Sequence, residues 1–176
     1  MMLERKIGNK VIRLVRGDIA DLEVDAFAFD ITTDCQLGSG YGGAIAQRGG
    51  KAVQEELNAI GTLPTGEAAV TTAGGMKAKH IIYTNGPKFL EPGTEEKLRK
   101  ATRSILSKAD QKGIRELALP PIGTGLYQVP LDLCADVMVD TVAEHLKGKT
   151  SLEAVSFVAL DSREYKPLQA KIEGGA

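Results

Sequence analysis

Short β-branched or apolar runs alternate along this chain with segments of helical periodicity, and that alternation restricts it to an α/β fold with a largely parallel sheet. Runs at 11–15, 24–29, 68–73, 80–83, 116–119 and 155–160 read as strands. The 24–29 run is almost wholly apolar, as expected of a strand covered on both faces. Helical patterns occupy 43–60, 95–112 and 131–146. In the second, Leu98, Ala101, Ile105 and Ala109 recur at three- and four-residue steps, and Gly113 supplies a stop. In the third, Cys134, Met138, Val142 and Leu146 form one row at i, i+4. That row assigns Cys134 and Met138 to the core rather than to chemistry. Gly49-Gly50 weakens or breaks the first.

A length of 176 residues suits one domain, 1–176, with interior enough for a core. A formal net charge of -1 argues against a dedicated nucleic-acid binder, which carries a basic excess to displace counterions. It does not argue against an anion held by backbone dipoles, which leave no trace in net charge. Cys35 and Cys134 lie far apart and form neither a metal-ligand spacing nor a disulfide framework. No metal is expected. Residues 1–10 lack the apolar stretch of a secretion signal, and no apolar run is long enough to span a membrane. A cytoplasmic location is the default expectation.

In open α/β sheets, ligands bind beyond the carboxyl ends of the strands. Two glycine-rich loops fall at such places. The first is Leu37-Gly38-Ser39-Gly40-Tyr41-Gly42-Gly43-Ala44-Ile45, which follows the 24–29 strand and opens a helix. Glycines there let backbone N–H groups approach a ligand, and a helix N-terminus adds unpaired donors and a positive dipole end. That combination suits phosphate. The second is Pro121-Ile122-Gly123-Thr124-Gly125-Leu126-Tyr127, also between a strand and a helix. Thr124 offers a hydroxyl, and Tyr127 a flat face with a polar tip. Two phosphate cradles on neighbouring strand ends suit a diphosphate better than a monophosphate.

Gly38, Gly40 and Gly43 also match the dinucleotide fingerprint G-x-G-x-x-G, which raises a Rossmann NAD-binding oxidoreductase as a rival. The motif does not follow its strand at once. Glu55 and Glu56, where a ribose-binding acid belongs, fall in a helical stretch, and the rival gives the second loop no role. Gly148-Lys149-Thr150 has no glycine five residues before it, so the P-loop pattern G-x-x-x-x-G-K-[ST] is not present.

The same words, in order over about 11–161, resemble the macro domain family, of the Appr-1''-p processing type. They are Gly17-Asp18-Ile19, Val24-Asp25-Ala26, the first loop, Thr65-Gly66-Glu67-Ala68, Ile82-Tyr83-Thr84-Asn85-Gly86-Pro87, and the stretch from Leu119 to Tyr127. The resemblance implies a three-layer α/β/α sandwich with a mixed, largely parallel sheet, and ADP-ribose or an ADP-ribosylated protein or nucleic acid as partner, with no further cofactor. It implies that Asp18 accepts from the adenine amine with help from the Ile19 backbone. Gly38, Ser39, Gly40, Tyr41, Gly42 and Gly43 would bind one side of the diphosphate. Gly123, Thr124, Gly125, Leu126 and Tyr127 would bind the other side and cover the distal ribose. Read from residues alone, Asp18 is instead a helix N-cap or turn residue.

Where the common hydrolase branch carries N-A-A-N, this chain reads Phe29-Asp30-Ile31-Thr32, and Gly42 stands where that branch has a first-loop aspartate. The 31–40 stretch is similar instead to the terminal ADP-ribose glycohydrolase branch, I-S-x-D-C-x-x-G-x-G. That branch uses a lysine, which falls near Pro87-Lys88, and a second-loop aspartate, where Tyr127 stands here. Asp34 and Lys88 are the resulting catalytic candidates. Asp34 would orient a ribose hydroxyl or a water, or else stabilise a turn. Leu160 holds the place of an adenine-stacking aromatic. The implied activities are release of ADP-ribose from modified macromolecules or deacylation of O-acetyl-ADP-ribose. A non-catalytic ADP-ribose reader is the alternative.

Overall fold

A computed structural model describes residues 2–38, 41–88, 91–124 and 128–174. The strands are β1 Met2–Ile7, β2 Lys10–Arg16, β3 Ala26–Asp30, β4 Ala68–Thr72, β5 His80–Thr84, β6 Glu116–Leu119 and β7 Ala154–Ala159. They form one seven-stranded sheet in the order β1-β2-β7-β6-β3-β5-β4. From β2 to β5 every neighbouring pair is parallel. The outer strands β1 and β4 pair antiparallel with β2 and β5. The carboxyl ends of five neighbouring strands therefore open on one edge of the sheet, and the loops that leave them sit side by side.

The helices are α1 Tyr41–Gly49, α2 Lys51–Ile60, α3 Thr94–Gln111, α4 Leu131–Lys147 and α5 Ser162–Gly174. They cover both faces. Strand β3 shows why: its apolar residues feed two cores by turns, because successive side chains leave a strand on opposite faces. Phe27 packs in one core with Ile45 of α1 and Val53 and Leu57 of α2. Ala28 packs in the other with Ile105 of α3, Met138 of α4 and Leu168 of α5. The result is the three-layer α/β/α sandwich that the resemblance implies, built on the largely parallel sheet that the strand and helix alternation predicts.

Two elements were not expected from the sequence. Strand β1 carries three consecutive charged residues, Glu4, Arg5 and Lys6, and lies at the sheet edge, so it lacks the dense apolar run of an inner strand. Helix α5 contains Pro167, yet buries Tyr165, Leu168 and Ile172 at helical spacing. The expected 43–60 helix is two helices, interrupted at Gly50, whose φ of 89° is incompatible with a continuing helix. Strand β3 begins at Ala26 rather than at residue 24. Just before it, the Asp25 carboxylate accepts from the Arg115 and Glu116 N–H groups at 2.9 and 3.1 Å, so side-chain bonds anchor the start of β6. His145, in the last turn of α4, pairs with Asp110 at 2.9 Å.

Candidate functional site

The carboxyl ends of the parallel strands bring the sequence candidates to one edge. Strand β2 leads to Asp18 and Ile19, β7 to Leu160, β6 to Gly123 and Thr124, β3 to Asp34 and Gly38, and β5 to Lys88. Strands β3 and β6 are direct neighbours, so the segments that lead to both glycine-rich loops leave the sheet side by side. Gly42 and Gly43 lie in the first turn of α1, which Tyr41 opens. Ser39, Gly40, Gly125, Leu126 and Tyr127 lie outside the described residues.

At the β2 end, Asp18 caps a 3-10 turn, Ile19–Asp21, accepting from the Ala20 N–H at 2.9 Å. Its second oxygen lies 3.1 Å from Arg48 Nη1. The capping role legible in the residues is thus realised, together with an ion pair that sequence did not suggest. Arg48 sits late in α1, the helix that the first glycine loop opens, so one guanidinium ties that helix to the turn after β2. No local spacing relates residues 18 and 48. Leu160, at the end of β7, is 53% exposed and offers an apolar surface at this edge.

The first loop is held from below. Cys35 is fully buried in a left-handed conformation with φ 57°, and its N–H donates to the Thr32 carbonyl at 3.0 Å. Gln54 of α2 donates to the Cys35 carbonyl at 3.2 Å and accepts from the Leu37 N–H at 3.3 Å. Burial is the main influence on the Cys35 thiol and Asp34 a lesser one; both push it up, so it is no ready nucleophile. Asp34 accepts from the Thr32 hydroxyl, a bond across a tight turn, and is exposed. The close packing of this loop is sharpest at Gly42. A Cβ there would lie 1.7 Å from the Leu37 carbonyl oxygen. Gly42→Val would therefore disturb the fold as well as fill a phosphate cradle, because the added carbon collides with the loop's own backbone.

Asn85, only 2% exposed, stitches the β5 end to this loop. Its Nδ2 donates to Thr33 Oγ1 at 2.8 Å and to the Leu63 carbonyl at 2.9 Å. Phe29, at the position where the resemblance leads one to expect an asparagine, packs edge-on against Tyr83 with ring centroids 6.3 Å apart. An aromatic contact thus stands where a polar group would otherwise face the loops.

The second loop turns at Gly123, where φ is 79° and a Cβ would meet the Val129 side chain at 2.9 Å and the Pro87 carbonyl at 3.1 Å. The loop after β5 and the loop after β6 are thus in backbone contact, which leaves no room for a larger residue. Thr124 donates its hydroxyl to the Pro121 carbonyl at 2.9 Å, so it first closes the turn. Cys134 and Met138, assigned to the core, are fully buried beneath it. Asp30 was not singled out as a candidate, since its place at the end of an apolar run says nothing of its partners. It lies under both loops. The Gly86 N–H donates to its Oδ1 at 2.9 Å, and burial pushes its carboxyl up to about 6 against the pull of the Gly86 and Gly123 amides and of Lys88.

Chemically, this edge offers backbone donors at a helix start and at a glycine turn, one exposed carboxylate at Asp34 and one exposed ammonium at Lys88. Among the described residues no group of three His, Cys, Asp or Glu side chains has the geometry to hold a metal ion.

The chain is similar to known proteins along most of its length. A model of the Macro domain family matches residues 31–138. A macro domain-containing protein of Streptomyces coelicolor is 37% identical over 170 residues, covering 92% of this chain and 98% of the relative. The Oceanobacillus iheyensis macrodomain, solved with ADP, superposes with a TM-score of 0.93 at 23% identity, over 99% of this chain and 96% of that one; at that identity the match speaks for the fold. The Trypanosoma brucei macrodomain, solved in complex with ADP-ribose, has a TM-score of 0.84 at 30% identity, over 90% of this chain and 67% of that one. With the family model spanning more than half of its length and the fold and loop order agreeing, the chain belongs to the macro domain family.

Proposed function

We propose that this protein binds ADP-ribose, free or attached to a macromolecule, at the carboxyl edge of its sheet. The observation that carries this reading is the placement of two glycine-rich loops on the directly paired parallel strands β3 and β6. The first opens α1, so its amides combine with the positive end of a helix dipole. A diphosphate has two anionic centres to engage two such cradles. The T. brucei macrodomain solved in complex with ADP-ribose supports the choice of ligand. In this reading Asp18 and Ile19 receive the adenine end, residues 38–43 and 123–127 hold the diphosphate, and Leu160 supplies apolar contact in place of a stacked ring.

Calorimetric titration with ADP-ribose, with NAD, AMP and ADP as comparators, tests the reading. Selective binding of ADP-ribose upholds it. Equal or tighter binding of NAD returns the dinucleotide alternative, and no binding of ADP-ribose overturns it.

A hydrolytic extension rests on Asp34 and Lys88, a carboxylate and an ammonium that both lie exposed on loops at this edge. Lys88, after giving up a proton that passes to the leaving group, would displace the macromolecule from the anomeric carbon of the distal ribose, and Asp34 would orient a ribose hydroxyl or the water that then releases ADP-ribose from the lysine. Release of ADP-ribose from ADP-ribosylated protein or nucleic-acid ends, or deacylation of O-acetyl-ADP-ribose, is the assay. Turnover by the wild type that both Asp34→Ala and Lys88→Ala abolish establishes the extension. Binding without turnover makes the protein a reader.

A further inference from the structure

Asp30 ends β3, with β6 on one side and β5 on the other. Its carboxyl therefore lies where the loops from both neighbours converge. The Gly86 N–H donates to Oδ1 at 2.9 Å, and a Cβ on Gly86 would stand 3.3 Å from both carboxylate oxygens. The Gly123 N–H favours the ionised form as well, and Lys88 adds a weaker positive field. On the helix side the groups acting here are a thiol and a carboxylate. Cys134 of α4 has a thiol pushed up first by its own burial and then by Asp30, and Glu164 of α5 acts on that thiol in the same direction. Burial outweighs the two amides and the lysine, and it holds the Asp30 carboxyl near 6. A group so disfavoured in its charged form, placed beneath two ligand loops, is a candidate functional position.

We infer that Asp30 takes up a proton when the diphosphate ligand binds, so that binding of ADP-ribose to this protein is coupled to protonation of a half-buried carboxyl beneath its loops. The inference rests on the ligand reading given above. Two forces act in the same direction. The negative charge of a diphosphate on the loops disfavours a carboxylate behind them. A phosphate that recruits the Gly123 N–H also takes that donor away from Asp30. The proton comes from solvent and settles on the carboxyl, with no covalent step. The protonated carboxyl still accepts from Gly86 through its remaining lone pairs and gains an O–H donor. The histidines, the usual source of titration near neutrality, lie at the other end of the sheet: His80 opens β5 and His145 lies in the last turn of α4.

The test is calorimetric titration of the wild-type protein with ADP-ribose between about pH 5.5 and 8, each pH run in two buffers of different ionisation enthalpy. The expected result is uptake of a substantial fraction of one proton near neutral pH. Affinity is expected to fall about tenfold across the range, the change that one unit of ligand-induced shift produces. Asp30→Asn, which keeps an acceptor for the Gly86 N–H, is expected to bind with no proton uptake and a flat pH profile. The titration of the Asp30 carboxyl carbon in the wild type, followed by NMR with and without ADP-ribose, gives the same answer without a variant and is expected to move upward in pH on binding. Binding without proton uptake, uptake that persists in Asp30→Asn, or an unmoved carboxyl titration overturns this inference and leaves the ligand reading standing. Failure to bind ADP-ribose at every pH overturns the ligand reading itself, and this inference with it.

Discussion

Arg48 Nη1 lies 3.1 Å from Asp18 Oδ2 and so joins α1 to the turn after β2. The two side chains are 46% and 38% exposed, so the pair contributes little to stability, at most about 1 kcal/mol. Its consequence is orientation, since it aims the carboxylate while the Ala20 N–H holds the other oxygen. Asp18→Asn keeps a good capping acceptor and removes the charge. It is expected to leave the melting temperature nearly unchanged. Asp18→Ala also loses the cap, about 1 kcal/mol of stability, and is expected to weaken ADP-ribose binding by about 1–3 kcal/mol. Calorimetry on Asp18→Ala, Asp18→Asn and Arg48→Ala separates the roles. Equal affinities in all three remove Asp18 from the ligand site.

Gly42 and its neighbour Gly43 differ in what they tolerate. A Cβ at Gly42 would overlap the Leu37 carbonyl, whereas at Gly43 the nearest atom is the Gly38 carbonyl oxygen at an ordinary 3.5 Å. Gly42→Ala is expected to lower stability by about 1–3 kcal/mol through overpacking and to abolish ligand binding. Gly43→Ala is expected to fold like the wild type. Thermal melts of both variants check this, and a normal melt for Gly42→Ala would contradict the loop geometry.

Asn85 donates to two acceptors across the base of the first loop. Asn85→Asp places an oxygen against the Leu63 carbonyl and is expected to cost about 1–3 kcal/mol. A lower urea midpoint with an unchanged slope is the expected readout. Binding should weaken as well, because the loop that presents Gly38 loses its anchor.

The Asp30 carboxyl also sets a pH dependence of stability. Its folded-state value of about 6 lies above the ordinary 3.8, so the folded protein holds this proton over an interval in which the unfolded chain has released it. Stability from this group therefore falls as pH rises from about 4 to 6. The deficit above that is about 3 kcal/mol, at 1.36 kcal/mol per unit. Asp30→Asn should gain stability relative to wild type as pH rises through that window and show no gain near pH 4. Urea melts of both proteins across the window measure the difference, and parallel profiles would contradict a raised Asp30 carboxyl.

Much of this protein is determined by local sequence. The apolar runs at β3 and β7 and the periodic rows of α3 and α4 specify their elements because each pattern matches one backbone period and one buried face. The glycine-rich loops are legible for the same reason, as short segments whose chemistry is carried by their own backbone. Edge strand β1 and helix α5 escape such reading, since charged residues dilute the one and Pro167 interrupts the other. Strand β1 is held by its pairing with β2, and α5 by packing on α4 and on β1, β2 and β7, contacts that no pattern within either element records. The wiring of the site is likewise a tertiary matter. Arg48 meets Asp18, Asn85 meets Thr33, and Asp30 meets Gly86 because the parallel sheet brings the ends of β2, β3, β5 and β6 to one edge. Sequence spacing carries periodicity along one element, whereas hydrogen bonds and burial depend on which elements the fold places side by side.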